Sequence, residues 1–458
     1  MPTHLRYSYV LCLWIIGGCV GVIGSSEANN NKVPSDALSR ELSELAWLRL
    51  TNAQYDNTLR DLLGYEDSFS KAFPDDEYVN GFELAGNVTT LSAEQLSLSA
   101  EKIAEQAVQD IPGLLKCDPT EIGERQCVEQ FVDDFVMRAF RRPVESSEKE
   151  ALLALYDETI QAFDFSSAVQ VMVETVLQSS AFLYRSQQGV LAESGAQSSK
   201  LNNWEMASRL SYFLWNTMPD EPLFAAAEAG ELQSQEQVVS QAERMLDDPK
   251  AKEGVADLFR QWLHWDKIQS LAKDSSLYPD FDQDFASMLQ QSVVAYVNDV
   301  FFDQDARLET LFTSPVVFAN ARLAASYEFE APEGDALSKV ELDGQTRFGL
   351  LGQPALLAML SKTDQSDPIH RGVFVRQQIL CQQLPPPPNN VVVNIEAPAE
   401  GLSTRERFAA HSTDPSCNGC HRLIDPVGFG FEEFGPIGES RGCRLCFEAL
   451  VSPGAWPG

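Results

Sequence analysis

Thr51-Asn52-Ala53-Gln54-Tyr55-Asp56-Asn57-Thr58-Leu59-Arg60-Asp61-Leu62-Leu63-Gly64 sets the fold class of this chain. A hydroxyl at Thr51 followed three residues later by the Gln54 amide makes a capping box, in which each side chain satisfies the other residue's free N–H. Tyr55, Leu59, Leu62 and Leu63 then recur at helical spacing, and Gly64 supplies the stop. The same grammar repeats along the chain. Ser92-Ala93-Glu94-Gln95 opens a second helix that runs through Ile103 towards Val108, and a third spans 128–140 and closes on Arg141-Arg142-Pro143. Ser147-Glu148-Lys149-Glu150 caps a fourth, and a further helix covers 165–177. Together these form an N-terminal helical region over residues 44–190, which a Ser-, Gly- and Ala-rich linker at 189–200 brings to an end. A second region covers 200–330. Trp204, Ala207, Leu210, Ser211 and Leu214 line one helix face there, and Asp248-Pro249 starts a helix carrying Phe259, Trp262, Leu263 and Trp265. Residues 285–302 are long and amphipathic. A third region, 346–441, opens with an apolar helical stretch at 349–361 and a short helix at 372–382, before Pro385-Pro386-Pro387-Pro388 imposes a polyproline II spacer. Neither an internal repeat nor a β-rich block stands out. The expected fold is mainly α, as multidomain helical bundles.

The spacer hands over to Cys417-Asn418-Gly419-Cys420-His421, the spacing that fixes a c-type haem. Two thiols three residues apart add across the two vinyl groups, and the adjacent imidazole is left beneath the iron. The chain carries its own control in Cys443-Arg444-Leu445-Cys446, where the next residue is Phe447 and no axial ligand follows. With five histidines in 458 residues, a histidine in the ligand position is informative. Zinc would need two more ligands at finger spacing, and a redox dithiol usually sits in a βαβ context; neither is evident. The third region therefore reads as a cytochrome c-like segment holding one covalent haem through Cys417 and Cys420, with His421 as proximal ligand.

The opposite face of the iron decides the chemistry, because a closed face suits electron transfer and an open one admits small ligands. Met359, His370 and His411 are the distal candidates. Each has a plainer reading: Met359 as core, His370 as a partner of a carbonyl or propionate, His411 as a propionate contact. Arg371 and Arg376 could neutralise propionates or stand as solvated charges. Asp425-Pro426 reads as a turn whose backbone carbonyl receives the imidazole N–H, a bond that orients the ligand and raises its basicity. Gly428 and Gly430 would let backbone approach the ring edge, or serve simply as turn residues. No acid/base pair, nucleophile arrangement or phosphate loop appears, so no catalytic residue is named.

Haem attachment of this kind requires export, and the N-terminus agrees. His4 and Arg6 precede an apolar run at 7–18, too short to span a bilayer and suited to a signal-peptide core. Ile16-Gly17-Gly18-Cys19 resembles a lipoprotein signal that would put a lipid anchor on Cys19; ordinary cleavage near Ser25-Ser26 is the alternative. Residues 1–26 are thus a signal peptide and 27–43 a flexible tether, and the expected location is the periplasm or cell surface. A formal charge of −33 repels polyanions, which argues against nucleic acid and leaves an unidentified redox protein as the expected partner. In an oxidising compartment Cys117 and Cys127, ten residues apart, are expected to form a disulfide. Cys381, Cys443 and Cys446 leave an odd thiol, and the tail over 442–458 has no helical period and reads as a truncated or frame-shifted end.

Several phrases together resemble a known group. They are Trp47-Leu48-Arg49-Leu50-Thr51 with Tyr55 and Arg60-Asp61-Leu62-Leu63-Gly64, then Arg138-Ala139-Phe140-Arg141-Arg142-Pro143. Ser208-Arg209-Leu210-Ser211-Tyr212-Phe213-Leu214-Trp215 follows, leading to Pro219-Asp220. His370-Arg371-Gly372 with the proline run, and Cys417 to His421 followed by Ile424-Asp425-Pro426-Val427-Gly428-Phe429-Gly430, complete the set. Over residues 44–441 the chain resembles the multidomain secreted cytochromes of the planctomycete-cytochrome type, built from tandem domains of unknown function. The resemblance implies an exported haem c protein, often a lipoprotein, with no settled substrate. Where the family ends in a Gly-x-Trp-Arg-like phrase and a further helical domain, this chain has Gly438-Glu439-Ser440-Arg441 and then departs. The expected function is electron transfer, with the chain serving in one version as the electron-accepting module of an oxidoreductase. The alternative is a surface-anchored binding or scaffold protein with a structural haem, whose Trp204, Tyr212, Trp215, Trp262 and Trp265 would bind glycans unless they are core.

Overall fold

The computed structural model describes residues 47–79, 81–191, 199–330, 334–344, 347–384, 404–406, 408 and 415–441. The signal peptide with Cys19, the tether, the proline run, His411 and the tail with Cys443 and Cys446 lie outside them. The chain is mainly helical and divides into two compact units, one within 25–257 and one within 258–458. Among the described residues no helix is long and apolar enough to cross a membrane.

In the first unit β1 (Trp47–Arg49) leads into α1 (Asn52–Leu63). Its capping box forms as expected: Gln54 N donates to the Thr51 hydroxyl and Thr51 N to the Gln54 amide oxygen, at 3.2 and 3.3 Å. Gly64 ends the helix at φ +78°, a left-handed conformation that glycine adopts without a Cβ penalty, and its N–H bonds the Arg60 carbonyl. Tyr55, Leu59 and Leu62 are buried. Full burial of a side chain such as Leu59 stabilises by about 1.5–3 kcal/mol. Three helix starts differ from the sequence reading, those of the second, third and fourth helices, the third beginning at Glu124 and not at 128. α2 (Thr90–Ala107) is capped by Thr89, with the Ser92 hydroxyl in the role usually given to Glu or Gln. α4 begins earlier than Ser147, after the bounds of α3 (Glu124–Phe131) and the wider turn at Val132–Val136 that carries that helix on to Phe140. α4 itself is Ser146–Thr159, where Glu148 bonds Glu145 N at 2.9 Å and receives both guanidinium nitrogens of Arg142. α5 (Phe165–Gln178) packs on α2 and α4 through Ala168, Val169, Met172, Val173 and Val176. Cys117 and Cys127 are joined as a disulfide, with their Cα atoms 5.9 Å apart.

Strands do occur, as four two-stranded antiparallel ribbons among the described residues. β1 pairs with Tyr184–Ser186, in register Trp47 with Ser186, which closes the start of the first region onto its end. Segments of three residues carry no readable alternation, which is why the sequence pattern did not reveal them. Arg141, at φ +58°, sits where this closure happens. Its Nη2 donates to the carbonyls of Ala181, Phe182 and Tyr184 at 2.9, 2.7 and 2.9 Å. α6 (Asn203–Leu214) starts at Asn202 with a capping box to Glu205, and its Tyr212 hydroxyl meets Thr58 Oγ1 at 2.8 Å. Trp215, just past that helix, is 1 % exposed and donates its indole N–H to the Met245 carbonyl.

The second unit is organised around α7 (Gln283–Asn298), whose Phe285, Leu289, Val293 and Tyr296 are buried. A ribbon of Val316–Ala319 and Ser338–Glu341 lies against it. The apolar stretch expected at 349–361 forms only from residue 354, as α8 (Pro354–Met359). The next helix, α9 (Pro368–Phe374), starts four residues before Gly372 because Asp367 caps it, its Oδ1 accepting from His370 N at 3.1 Å. The last described helix is α10 (Pro415–Phe429).

Candidate functional site

α10 carries the motif. Residues i, i+3 and i+4 of a helix share a face, so Cys417, Cys420 and His421 project from one side of one helical turn. All three are half-buried, accessible enough to be modified and sheltered enough to be held. The His421 ring is oriented by a contact from Nδ1 to Asp425 Oδ1 at 2.9 Å. The carboxylate lies one turn further along the same helix and its side chain is 4 % exposed. A carboxylate only accepts, so Nδ1 carries a proton, and in the neutral imidazole the lone pair is then on Nε2. Nε2 is the atom a metal would take.

This corrects the sequence reading of Asp425-Pro426 as a turn. The helix continues through Pro426, and the partner of His421 is the Asp425 side chain rather than a backbone carbonyl. Proline removes one intrahelical N–H and crowds the preceding turn. Packing against α9 keeps the segment helical regardless. A Cβ on Gly428 would lie 1.7 Å from the Pro368 carbonyl oxygen, and one on Gly372 would lie 2.3 Å from that of Ile424. The two helices therefore touch backbone to backbone, antiparallel, with residue 368 beside 428 and residue 372 beside 424. Gly428 serves this helix contact, where the sequence left a haem edge or an ordinary turn as its alternatives. Following the same register, Arg376 in the turn at Val375–Ile379 donates its Nε to the Leu423 carbonyl.

Two buried arginines hold the chain that follows α10. Arg371 is 1 % exposed; its Nη1 donates to the carbonyls of Phe431 and Phe434 at 2.7 and 2.9 Å, and its Nη2 to that of Gly435 at 2.9 Å and to Ser361 Oγ at 2.8 Å. Burial lowers its pKa to about 10, still far above neutral, so it remains a cation. Glu432 lies 3.8 Å away as counter-charge. Arg371 Nε and Glu432 Oε1 are buried without a hydrogen-bond partner. Arg347 donates to the carbonyls of Gly352 and Gly438 at 2.7 and 2.5 Å and stacks on Phe434 with 4.5 Å to the ring centre. The alternatives weighed for Arg371, a propionate partner or a solvated charge, both give way to this carbonyl clamp. Lys273 acts similarly, bonding the carbonyls of Ala358 and Lys362 at 2.9 and 3.0 Å at the end of α8. Burial, then the positive charge of Arg371, pushes its amine down to about 8.

Of the distal candidates, Met359 and His370 fall within the described residues. Met359 is half-buried at the last position of α8. His370 stands on α9 with its side chain 73 % exposed and its Nδ1 2.6 Å from Asp367 Oδ2. That hydrogen bond raises its pKa above the ordinary imidazole value. Of the aromatics weighed for glycan contact, Tyr212, Trp215 and Trp265 are buried in the core, and Trp262 donates its indole N–H to the Gln378 carbonyl. Sequence reading missed Arg347, Lys273 and the Asp425 carboxylate. The first two had no local signal, whereas the i,i+4 spacing of His421 and Asp425 was legible once the helix was allowed to pass the proline.

Family models match the chain at four consecutive places. The one at 49–110 is PSD3, protein of unknown function (DUF1587), and the one at 127–187 is PSD5, protein of unknown function (DUF1595). PSD4, protein of unknown function (DUF1592), matches 201–329, and PSCyt3, protein of unknown function (DUF1588), matches 347–443. The four matches lie in tandem, and the families they match are planctomycete cytochrome-like. No curated protein and no solved structure matches the chain. The DUF1588 domain contains α8, α9, α10, Arg347 and Arg371, so the motif helix and everything described as holding it except Lys273 belong to one domain. The DUF1592 domain spans the division between the two units at residues 257 and 258. Arg141 of the DUF1595 domain lies with its guanidinium 5.8 Å from the Tyr212 ring centre of the DUF1592 domain, inside the first unit. Arg141 and Tyr212, each from one of the phrases quoted above, thus pack against one another.

Proposed function

We propose that this chain is an exported c-type haem protein that relays single electrons, with one haem joined through thioethers to Cys417 and Cys420 and His421 Nε2 as the proximal ligand. The observation that carries this reading is the presentation of both thiols and the imidazole from one half-buried helical face, with Nδ1 already taken by Asp425. When bound, haem supplies an iron centre that cycles by one electron, its potential set by axial ligands and surroundings. The residues do the rest. Cys417 and Cys420 fix the group to α10, His421 is held in one tautomer, and the Gly372 and Gly428 contacts keep α10 against α9. The cytochrome-like family label of the DUF1588 domain supports the reading. The leader pattern at 1–26 and the Cys117–Cys127 disulfide support an oxidising destination, the periplasm or cell surface, with Cys19 as the anchor if lipidated. Burial of Tyr212, Trp215 and Trp265 weighs against a glycan-binding scaffold.

The test is expression with export and a haem c maturation system. The mature protein is expected to stain for haem-linked peroxidase on a denaturing gel, to weigh one haem more than its polypeptide, and to show a reversible reduced-minus-oxidised α-band. Cys417→Ala with Cys420→Ala is expected to abolish all three. Protein that matures with no covalent haem sinks the proposal.

A further inference from the structure

We propose that the Asp425 carboxylate is a positioning residue that sets the donor strength of His421, and through it lowers the reduction potential of the iron that this imidazole ligates; the inference rests on the haem reading above. Three observations carry it. The acceptor is a carboxylate at 2.9 Å. A charge-assisted bond of this kind is roughly twice as strong as one to a neutral carbonyl. Drawing the Nδ1 proton towards oxygen pushes electron density onto Nε2, and a better donor stabilises the ferric over the ferrous state. Next, the carboxylate is all but removed from water, at 4 % exposure, so solvent does not dilute its effect. Finally, its place is fixed. The backbone contacts at Ile424 and Gly428 bracket Asp425, so the helix that presents the imidazole also presents the acceptor, one turn away and unable to swing. A surface i,i+4 pair could separate at little cost; this one is locked by packing.

The experiment uses the full chain matured with haem, as wild type, Asp425→Asn and Asp425→Ala. Covalent haem per chain is measured by pyridine haemochrome, midpoint potential by redox titration, and thermal stability by circular dichroism. Potentials are compared on the haem-bearing fraction, which the haemochrome assay counts for each variant. The midpoint is expected to move to more positive potential in Asp425→Asn, where the acceptor is neutral, and further in Asp425→Ala, where it is gone. In haem-free protein, ring ¹⁵N shifts of His421 are expected to report a proton on Nδ1 for wild type and a tautomer mixture for Asp425→Ala. A purely structural pair would lower thermal stability and leave the potential where it was, and that result overturns the proposal. Haem present with an unmoved potential overturns this inference alone, whereas wild type without haem overturns the haem reading and this with it.

Discussion

Gly428→Ala tests the backbone contact on which the placement of the motif helix depends. The added Cβ would stand 1.7 Å from the Pro368 carbonyl oxygen. The closest comfortable carbon–oxygen approach is about 3.3 Å, so α9 and α10 must part by about 1.6 Å or bend. Neither partner is a flexible side-chain tip that could rotate away, since both are main chain. Overpacking of this kind costs about 1–3 kcal/mol, and alanine's better helix propensity returns at most about 1. A net loss of up to about 2 kcal/mol is expected, the full propensity gain being set against the upper end of the cost. Gly419→Ala is the control, because it lies in the same helix with nothing within 4 Å of the new Cβ. There only the propensity gain operates, and stability should rise by about 0.5–1 kcal/mol. Urea unfolding of the full chain, followed by circular dichroism, measures both. If Gly428→Ala is as stable as wild type while Gly419→Ala gains, the helices do not meet as described and the argument for a locked Asp425 fails with them.

Arg371→Met leaves the carbonyls of Phe431, Phe434 and Gly435 without their buried donor and Glu432 without the Arg371 cation, with Arg441 still 3.5 Å from its other oxygen. The expected loss is about 3 kcal/mol or more in urea unfolding, and a loss under about 1 would contradict the clamp. Lys273 supplies a pH dependence. Below about pH 8 its amine is charged in both folded and unfolded chains, while between about pH 8 and about pH 10 the folded amine has lost its proton and the unfolded one keeps it. The unfolded state then binds more protons, so unfolding free energy rises with pH across that window. Wild type should therefore gain stability relative to Lys273→Met between pH 8 and 10, and parallel curves would refute the shifted amine. Thr51→Ala should cost about 1 kcal/mol through loss of the cap, with Thr51→Ser close to neutral in thermal unfolding.

Reading order along the chain explains what was legible. Helix α1 and its cap could be read directly, because a capping box and its glycine stop are local chemistry spelled in consecutive residues. The starts of α2 and α4 slipped because several hydroxyls and carboxylates in a row can each serve as cap, and packing chooses among them. The ribbons were invisible because their strands are two to four residues long. At the site, the spacing of Cys417, Cys420 and His421 was plain, but Pro426 suggested a break that the contact with α9 prevents.

Composition, periodicity and the pentapeptide thus established by themselves a mainly helical chain with two thiols and an imidazole at the spacing of a haem motif, since each is read from residues within about four positions of one another. Only the tertiary structure decided that Asp425 rather than a carbonyl holds His421, that Gly428 meets Pro368, and that Arg371 is buried among carbonyls. Those outcomes depend on which segments, distant in sequence, come within a few ångströms, and that is settled by the packing of whole helices.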